Sequence, residues 1–531
     1  MLAAKLGLSL PLPSSRNQSP KKLCLVGVTT NPTDDNSTAR PFTPYPPSLW
    51  GHHFLSASVD HTRDRDTKPI VNAMLLPCNG ADAKQITCLI HTLVSLGVSY
   101  NFEAKIVEFL NDAFENIDDM IIDCKEDDLY TVSVIFRVFR LYGHNITLGS
   151  KETMEILSFY EASHFRTTTE DILEEAMSFT QKHLELFVVG GDKATDHPHI
   201  TKLIEAALYI PQNFNLEVLV AREYIGFYEL ETDHNEMLLK LAKLNFRFMQ
   251  LHYIQDLKTL TTERLAEPYF WATGIYYEPQ YSAARIMLAK ALIVFDIVDT
   301  TFDVYGTLDE VKSRVQSVDR WDYDGLDVLP DYLKIVFKTM FNMFKELKEH
   351  LKIVMKAYLK EAEWSNTGHV PSYEEYIEVG VSSTAGEVLL AITFIAMGDI
   401  AGDEIYEWLR SRPKLTHALI AKSRLRDDIS TFKEEMERGD IANGTNCYTK
   451  QYRVTEEEAC LEFEKRTNHM SKVMNEEFLK AASFVPLHIL RPVLNYGRLG
   501  DVIYKYGDGY TFAGGKIKDY ITSLYVDLIT P

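Results

Sequence analysis

The sequence lacks several features that would place it in a familiar class of protein. Its 531 residues include only six cysteines, and these show neither a CxxC nor a Cys/His spacing, so neither a disulfide framework nor a zinc site is indicated. No glycine-rich phosphate loop precedes a helical stretch. The longest charge-free apolar run, at 388–398, is about half the length of a bilayer span. These absences predict a non-secreted protein with reduced cysteines and no transmembrane segment.

Positive charge is also in short supply. The chain has 55 Lys and Arg residues against 76 Asp and Glu residues, which gives a formal net charge of −21. An excess of this size argues against nucleic acid or an anionic membrane surface as a partner. An anionic ligand such as a diphosphate would therefore need metal ions or a local group of arginines.

Alternation typical of β-strands is scarce, and long stretches have helical spacing instead. The run EYIEVGVSSTAGEVLLAITFIAM, at 375–397, predicts one long helix. We therefore predict an all-α protein with two helical domains, since a chain of this length suits two separate cores. The predicted boundaries are a disordered N-terminal segment at 1–39, a first helical domain at 40–225 and a second at 226–531.

The clearest sign of chemistry is an apolar helical run that ends in acidic residues, at 281–306. At about 100° per residue, Asp296, Asp299 and Asp303 lie within an arc of roughly 60°. The helix dipole and desolvation both oppose negative charge at that end of a buried helix, so a cation is needed, and Mg²⁺ is the simplest candidate. Taken alone the pattern is weak, because so acidic a chain contains such pairs by chance.

A second acidic face lies at 422–440. Asp427, Thr431 and Glu435 fall within an arc of about 80°, and Arg424 lies inside the same arc. A solvated surface helix would have a similar composition. Considered together, the two stretches predict two facing helices that hold Mg²⁺, or Mn²⁺, and a polyanionic ligand.

Both stretches resemble motifs of a known family. DTTFDVYGT resembles the aspartate-rich motif of plant class I terpene synthases, and RLRDDISTFKEEMERGD resembles the family's second metal motif. RPFTPYPPSLWGHHFLS, PYFWATGIYYEPQYS and YKYGDGYTF resemble further family blocks in the same order. The resemblance covers nearly all of the chain after residue 40 and is strongest, in wording, to crucifer members of the sesquiterpene-synthase-like branch.

The resemblance implies a fold and a reaction. The second domain would be a class I helical bundle around a central cavity. The protein would be a monomeric, Mg²⁺-dependent carbon–oxygen lyase that ionises a prenyl diphosphate (farnesyl or geranylgeranyl diphosphate), cyclises the carbocation and releases pyrophosphate. About three Mg²⁺ or Mn²⁺ ions would bind per site. The substrate's chain length (C15, C20 or C25) stays open, and a chain-elongating prenyltransferase is a further alternative.

The resemblance also assigns roles to single residues. The metal ligands would be Asp299, Asp303, Asp427, Thr431 and Glu435. Arg264 and Arg424, with Asp299, Asp303 and Asp427, would hold the diphosphate.

Three further residues would complete the site by the same resemblance. Trp271 would line the pocket and stabilise the cation through its aromatic face, and Asp508 and Tyr510 would belong to a lid. The alternatives are a core tryptophan and an ordinary surface turn.

The sequence departs from the family pattern in several places. Thr300 stands where the family has the second aspartate of its first motif, and Thr262 stands for the first arginine of its RxR segment. Family segments are missing after Arg65, after Ile146, between LKTL and TTERLAEP, and at HLKIVMKAY. Two hypotheses therefore stand, an active cyclase and a truncated or catalytically impaired member of the family.

The first 33 residues contain no Asp or Glu but include Lys5, Arg16, Lys21 and Lys22 and several serines. In so acidic a chain this composition resembles a transit peptide, which predicts import into the plastid (chloroplast). The alternative is a disordered tail that carries no address, with the protein in the cytoplasm.

Overall fold

A computed structural model describes most of the chain after residue 82. The described residues are 49–50, 83–122, 124, 129–146, 156–189, 198–260, 266–300, 302, 307–321, 347–398, 402–439, 441–505 and 507–530. Within them the regular secondary structure is helical, and no β-strand is present. The predicted all-α class is thereby confirmed.

The N-terminal part of the described chain is built from short and medium helices. They are α1 (Ala83–Ser95), α2 (Glu103–Phe114), α3 (Ile117–Ile122), α4 (Leu129–Leu141), α5 (Ile156–Ser163), α6 (Asp171–Val189), α7 (Pro198–Tyr209) and α8 (Glu217–Tyr228). Helix α4 is central, because Val134, Phe136 and Phe139 are fully buried and the helix packs against both α1 and α5. A helix that is apolar on most of its faces needs such a position.

The C-terminal part contains the longer helices. They are α9 (Glu236–Thr259), α10 (Ala266–Ile275), α11 (Ser282–Thr300), α12 (Leu308–Arg320), α13 (Lys348–Thr367), α14 (Tyr373–Ser383), α15 (Gly386–Ala396), α16 (Asp403–Arg410), α17 (Lys414–Arg438), α18 (Gly444–Tyr452), α19 (Glu456–Ala481), α20 (Leu487–Ile503) and α21 (Gly515–Tyr525).

Helix α11 is the apolar run that precedes the first acidic group. Leu288, Leu292, Phe295 and Val298 are buried at three- and four-residue steps, as the periodicity predicted. The helix packs against α9, α10 and α15. It extends to Thr300, so Asp299 lies at its C-terminal end. Gly306, where the glycine leads us to expect the helical run to stop, lies outside the described residues.

Helix α17 carries the second acidic group and packs against α19 and α20. It ends at Gly439, which takes the left-handed conformation with φ 94°. Glycine adopts this conformation without the penalty that a Cβ imposes, which is why it is common just after a helix. The helix therefore ends about one turn after Glu435.

The single long helix predicted at 375–397 is wrong, because the chain breaks it into α14 and α15. Ala385 takes φ 55° between the two helices. A Cβ added to Gly386 would lie 2.7 Å from Ile420 Cγ1, so α17 approaches too closely at this point for a residue larger than glycine. By length and composition the described stretch Tyr373–Ala396 could cross a membrane, but 61% of its apolar window is buried inside the protein.

The two halves of the described chain share one continuous apolar core. Polar contacts add to it, since Arg498 of α20 donates to Glu217 Oε1 at 3.0 Å and Asn475 Nδ2 donates to the His164 carbonyl at 2.8 Å. The domain boundary predicted between residues 225 and 226 falls inside α8. The division into domains stays a prediction.

Candidate active site

The predicted acidic face of α17 is held by hydrogen bonds from its own surroundings. The Thr431 hydroxyl lies 2.9 Å from both the Asp427 carbonyl oxygen and Glu435 Oε1. Asn443, which is fully buried just before α18, donates to Glu435 Oε2 at 2.7 Å. The hydroxyl and carboxylate oxygens of this face are therefore fixed in direction, which a metal or diphosphate site requires.

Arg424 lies at the centre of the acidic residues. Its Nη1 is 3.4 Å from Asp427 Oδ2, and its Nε donates to Asp428 Oδ1 at 2.8 Å. Burial alone would lower the pKa of Arg424, but Asp428, Tyr376 and Asp427 together raise it well above its ordinary value. The guanidinium therefore stays charged and shares that charge between two carboxylates.

Asp428 shows how crowded this region is. Its Oδ1 accepts hydrogen bonds from Arg424 and from the Tyr376 hydroxyl, the latter at 2.5 Å. Its Oδ2 is buried and has no hydrogen-bond partner. A Cβ on Gly444 would lie only 2.2 Å from that oxygen, so glycine is required at the start of α18. Burial raises the pKa of Asp428, and Arg424 opposes the rise.

Asp427 has a similar surplus of negative neighbours. Burial raises its pKa well above the ordinary value, Arg424 lowers it, and Glu435, Asp428 and Asp508 raise it further. The presence of Asp508 among these neighbours places the predicted lid beside the acidic face of α17. The Asp508 side chain caps its own turn, because its Oδ1 accepts from the backbone N–H groups of Tyr510 and Thr511 at 2.9 Å.

Asp299 joins the same electrostatic group from α11. Burial raises its pKa to about 7, with further increases from Glu361 and Asp296, while Arg424 and a hydrogen bond with Tyr358 lower it. Arg424 thus acts on carboxylates of both predicted stretches. The structure brings the C-terminal end of α11 and the acidic face of α17 towards the same guanidinium.

Glu361 of α13 belongs to the same electrostatic group, although no sequence motif marks it. Its carboxylate accepts from Ser383 Oγ at 2.7 Å. Burial raises its pKa to about 7, Arg424 lowers it, and Asp428 and Glu435 raise it again. A signal was available, because Glu361 shares a helix face with the buried Tyr358 and Trp364, three residues to either side. It was hidden among the other acidic residues of a Lys- and Glu-rich helix.

The predicted aromatic residues also lie together. The ring centroids of Trp271 and Tyr510 are 5.6 Å apart in an edge-to-face arrangement, and Tyr496 lies 6.3 Å from Trp271. The Trp271 Nε1 atom is buried and has no hydrogen-bond partner. These rings present aromatic surface next to the turn that carries Asp508.

Three predicted positions cannot be placed. Arg264, Asp303 and the substituted Thr262 lie outside the described residues. The structure likewise describes the backbone of Thr300 but not its side chain.

The acidic residues fit a hard divalent metal by their chemistry. Asp299, Asp427 and Glu435 supply carboxylates and Thr431 supplies a hydroxyl, and these are the oxygen donors that Mg²⁺ prefers. The raised pKa values of Asp299 and Asp427 mark a local excess of negative charge, which a cation would relieve. Among the residues that the structure describes, no three Asp, Glu, His or Cys side chains converge closely enough to hold one ion by themselves. Mg²⁺ commonly completes its shell with water and phosphate oxygens.

Comparison with known sequences decides the family. Residues 49–208 match the terpene synthase N-terminal domain, and residues 249–473 match the metal binding domain of the terpene synthase family. The chain belongs to the terpene synthase family. Its predicted class I helical fold is confirmed, and so is the predicted reaction class, a lyase that ionises and cyclises a prenyl diphosphate. Binding of a divalent metal is confirmed as well.

Individual relatives support this assignment. The terpene synthase is 74% identical to dolabella-3,7-dien-18-ol synthase TPS06 of Arabidopsis thaliana, over 98% of this chain and 94% of the relative. It is 43% identical to alpha-barbatene synthase of the same plant, over 92% of this chain and 97% of the relative.

Solved structures agree. A limonene synthase with 2-fluorolinalyl diphosphate has a TM-score of 0.80 at 27% identity, covering 92% of this chain and 99% of that one. Isoprene synthase from grey poplar, in complex with three Mg²⁺ ions and dimethylallyl-S-thiolodiphosphate, has a TM-score of 0.77 at 25% identity, covering 88% and 97%.

The alignments also bear on the missing segments. The stretch aligned with the dolabella-3,7-dien-18-ol synthase is 578 residues long, whereas this terpene synthase has 531 residues. The relative therefore contains residues that have no counterpart here, as the comparison with family motifs led us to expect. The positions of the individual gaps stay a prediction.

Proposed function

We propose that this terpene synthase converts geranylgeranyl diphosphate into a cyclic diterpene alcohol. The observation that carries the proposal is the 74% identity to a dolabella-3,7-dien-18-ol synthase. A hydroxyl on carbon 18 requires a skeleton longer than the fifteen carbons of a farnesyl group. Prenyl chains grow by five carbons, so the next substrate is the twenty-carbon diphosphate.

The proposed site combines residues from α11 and α17 with the C-terminal turn. Asp299, Asp303, Asp427, Thr431 and Glu435 would hold about three Mg²⁺ ions. The grey poplar isoprene synthase complex, which contains three Mg²⁺ ions, supports this number. When bound, the ions supply the positive charge that stabilises the departing pyrophosphate.

The protein's own groups would do the remaining work. Arg424 and Arg264 would donate hydrogen bonds to the diphosphate as the carbon–oxygen bond breaks, which stabilises the charge that develops on the leaving group. Arg424 already shares its donors between Asp427 and Asp428, so binding would require it to turn one donor towards the ligand. Glu361 would add negative charge to the surroundings of Arg424 and help to keep the guanidinium in this site.

The carbocation would then be protected by aromatic residues. The faces of Trp271 and Tyr510 attract a cation, and exclusion of water prevents early quenching. The turn held by Asp508 would close over the diphosphate. This role is supported by the electrostatic proximity of Asp508 to Asp427.

A turnover assay tests the proposal. The purified full-length chain is incubated with Mg²⁺ and, separately, with farnesyl, geranylgeranyl and geranylfarnesyl diphosphate. Pyrophosphate release is followed, and extracts are analysed by gas chromatography with mass spectrometry. We expect a cyclic alcohol from geranylgeranyl diphosphate. Products formed only from the fifteen-carbon or the twenty-five-carbon substrate would contradict the proposed substrate.

An impaired enzyme is the second candidate, and a specific observation favours it. The relatives contain residues that this chain lacks, and one relative at 40% identity is named inactive terpenoid synthase 20, chloroplastic. A chain that unfolds cooperatively but releases no pyrophosphate from any of the three substrates would establish this alternative.

We propose that the protein acts as a monomer in the plastid. Two relatives carry the word chloroplastic in their names, which supports the address predicted from the acid-free N-terminal segment. A fluorescent reporter fused behind residues 1–39 tests the address, and a purely cytoplasmic signal would contradict it. Light scattering from the purified protein tests the oligomeric state.

A further inference from the structure

The N-terminal part of the chain contains a cavity that the proposed cyclisation does not use. Its volume is about 610 Å³, within the range of small-molecule binding sites. Helices α1, α4, α5, α7 and α8 surround it.

The floor of the cavity is polar and incompletely paired. The side chains of His91, Arg137, Ser158 and Glu161 line it and are each at most 9% exposed. Each has a buried atom without a hydrogen-bond partner, namely His91 Nε2, Arg137 Nε, Ser158 Oγ and Glu161 Oε1. Leaving such a buried group unpaired is unfavourable, because it loses its hydrogen bonds to water and gains none in return. The four atoms lie beside the cavity but are closed off from it, so a polar ligand would pair with them after their side chains turn towards it.

The other atoms of this floor are already fixed. Gln212 accepts from Arg137 through its side chain, and its backbone N–H donates to Glu161 Oε2 at 2.9 Å. Arg137 and Glu161 are thereby held in place while one donor of the first and one acceptor of the second remain available. A hydroxyl group suits either atom, because it both donates and accepts hydrogen bonds.

The charge around the cavity selects against anions. Burial raises the pKa of Glu161 to about 7 despite the opposing effect of Arg137. Burial and Arg137 lower the pKa of His91 well below its ordinary value, so that side chain is neutral. Glu223, Glu231 and Asp233 also line the cavity and add negative charge to it. A diphosphate or carboxylate would be repelled there.

The remaining walls are apolar. Leu157, Leu203, Ala206, Val220 and Phe227 supply aliphatic and aromatic surface. We propose that this cavity binds a neutral, largely apolar molecule through one hydroxyl group, and that isoprenoid alcohols are the class it takes. The choice of isoprenoid alcohols rests on the proposed function, whereas the hydroxyl and the apolar body follow from the cavity itself.

Photoaffinity labelling tests this proposal. The probe is a farnesol analogue that carries a diazirine, applied to the full-length chain with Mg²⁺ and inorganic pyrophosphate present to occupy the catalytic site. Labelled peptides are mapped by mass spectrometry. We expect labelling within residues 203–234. Labelling confined to residues 249–473, or none at all, would overturn the proposal and leave a cavity filled with water.

Two variants on α7 provide a matched pair. Ala206→Trp fills the cavity and is expected to abolish the labelling. Glu205→Trp places the same bulk on the neighbouring exposed residue, which does not line the cavity, and is expected to retain it. Equal labelling of both variants would contradict the proposal. Thermal unfolding is recorded first, so that a misfolded variant is not read as a loss of binding.

A third variant keeps the test independent of α7. Glu161→Gln preserves the shape of the side chain but replaces the free acceptor by an amide. Calorimetry with farnesol is expected to show about tenfold weaker binding, and unchanged affinity would contradict the role of Glu161.

Turnover of prenyl diphosphate is measured separately. Turnover without labelling would refute the cavity proposal alone, and labelling without turnover would refute the proposed activity alone.

Discussion

The two ends of helix α11 carry buried charge in opposite ways. Near its start, Arg285 is fully buried and its Nη2 lies 2.9 Å from Asp256 Oδ2 on α9. Tyr269 donates to the same carboxylate oxygen at 2.7 Å, and Arg285 Nη1 donates to the carbonyls of Tyr276 and Glu278. One positive and one negative charge are balanced there and surrounded by hydrogen bonds.

At the other end of α11 the balance is lost. Among the residues that the structure describes, Asp299, Glu361, Asp427 and Asp428 are all influenced by one guanidinium, that of Arg424. The raised pKa values of these four carboxyls record the imbalance. A balanced buried cluster holds helices together, whereas an excess of carboxylates is costly unless a cation joins it. The difference separates a structural cluster from a site that binds metal.

The largest expected effect comes from breaking the balanced cluster. Asp256→Ala leaves Arg285 buried without its counter-charge, so we expect the free energy of unfolding to fall by about 3–5 kcal/mol. Urea unfolding of the purified variant measures it. The control is Lys352→Met, which removes an exposed ion pair with Glu349 and should cost less than about 1 kcal/mol. Equal losses of unfolding free energy in the two variants would contradict a structural role for the Asp256–Arg285 cluster.

Removing a carboxylate from the cluster beside Arg424 should not lower stability. Asp427→Asn removes one of several crowded carboxylates, so we expect stability to stay the same or rise. Turnover should fall by a hundredfold or more, on the order of the loss seen when one group that stabilises a transition state is removed. Pyrophosphate release and urea unfolding are measured on the same preparation. A loss of stability as large as that of Asp256→Ala would show that Asp427 is structural.

His164 is a third buried titratable group, and it differs from both clusters because its ring nitrogens have neither an ion-pair nor a hydrogen-bond partner among the described residues. His164 lies between the rings of Tyr160 and Phe214, and neither ring nitrogen makes a hydrogen bond. Burial lowers its pKa to about 3, and Arg166 lowers it further. The unfolded chain therefore takes up a proton below about pH 6.5 that the folded chain refuses, so stability falls as the pH falls through that range.

The His164→Phe variant measures this effect. Between pH 6.5 and pH 5 the wild-type chain should lose about 2 kcal/mol through His164, and the variant should lose that much less. Unfolding curves at the two pH values for both proteins give the difference. Parallel pH dependence in the wild type and the variant would show that His164 titrates normally.

The features that the sequence predicted correctly are those set by residues close together in the chain. Helical periodicity gave the buried face of α11, and i, i+4 spacing placed Asp427, Thr431 and Glu435 on one face of α17. Those features depend only on the geometry of one helix. The sequence also led us to expect the two acidic faces to converge, because each needs a cation and one site can serve both. In the structure both faces lie within the electrostatic influence of Arg424.

The features that sequence did not predict depend on contacts between helices. The break at Ala385 lies beside the close approach of Ile420 to Gly386, and these two residues are 34 positions apart in the sequence. In the sequence Glu361 is indistinguishable from the other acidic residues of α13. What sets it apart is its hydrogen bond with Ser383 of α14. The N-terminal cavity is formed by five helices, and none of them carries a motif that marks it.

The most direct test of the account is whether Mg²⁺ relieves the excess of carboxylates beside Arg424. Thermal unfolding is measured for the wild type, Asp427→Asn and the control Glu434→Gln, which changes an exposed acid two turns further along α17. At about a hundred times Kd, Mg²⁺ with pyrophosphate should stabilise the wild type and the control by about 3 kcal/mol, seen as a rise in Tm, and should leave Asp427→Asn nearly unchanged. An equal rise in all three proteins, or no rise in the wild type, would contradict a metal site at this cluster.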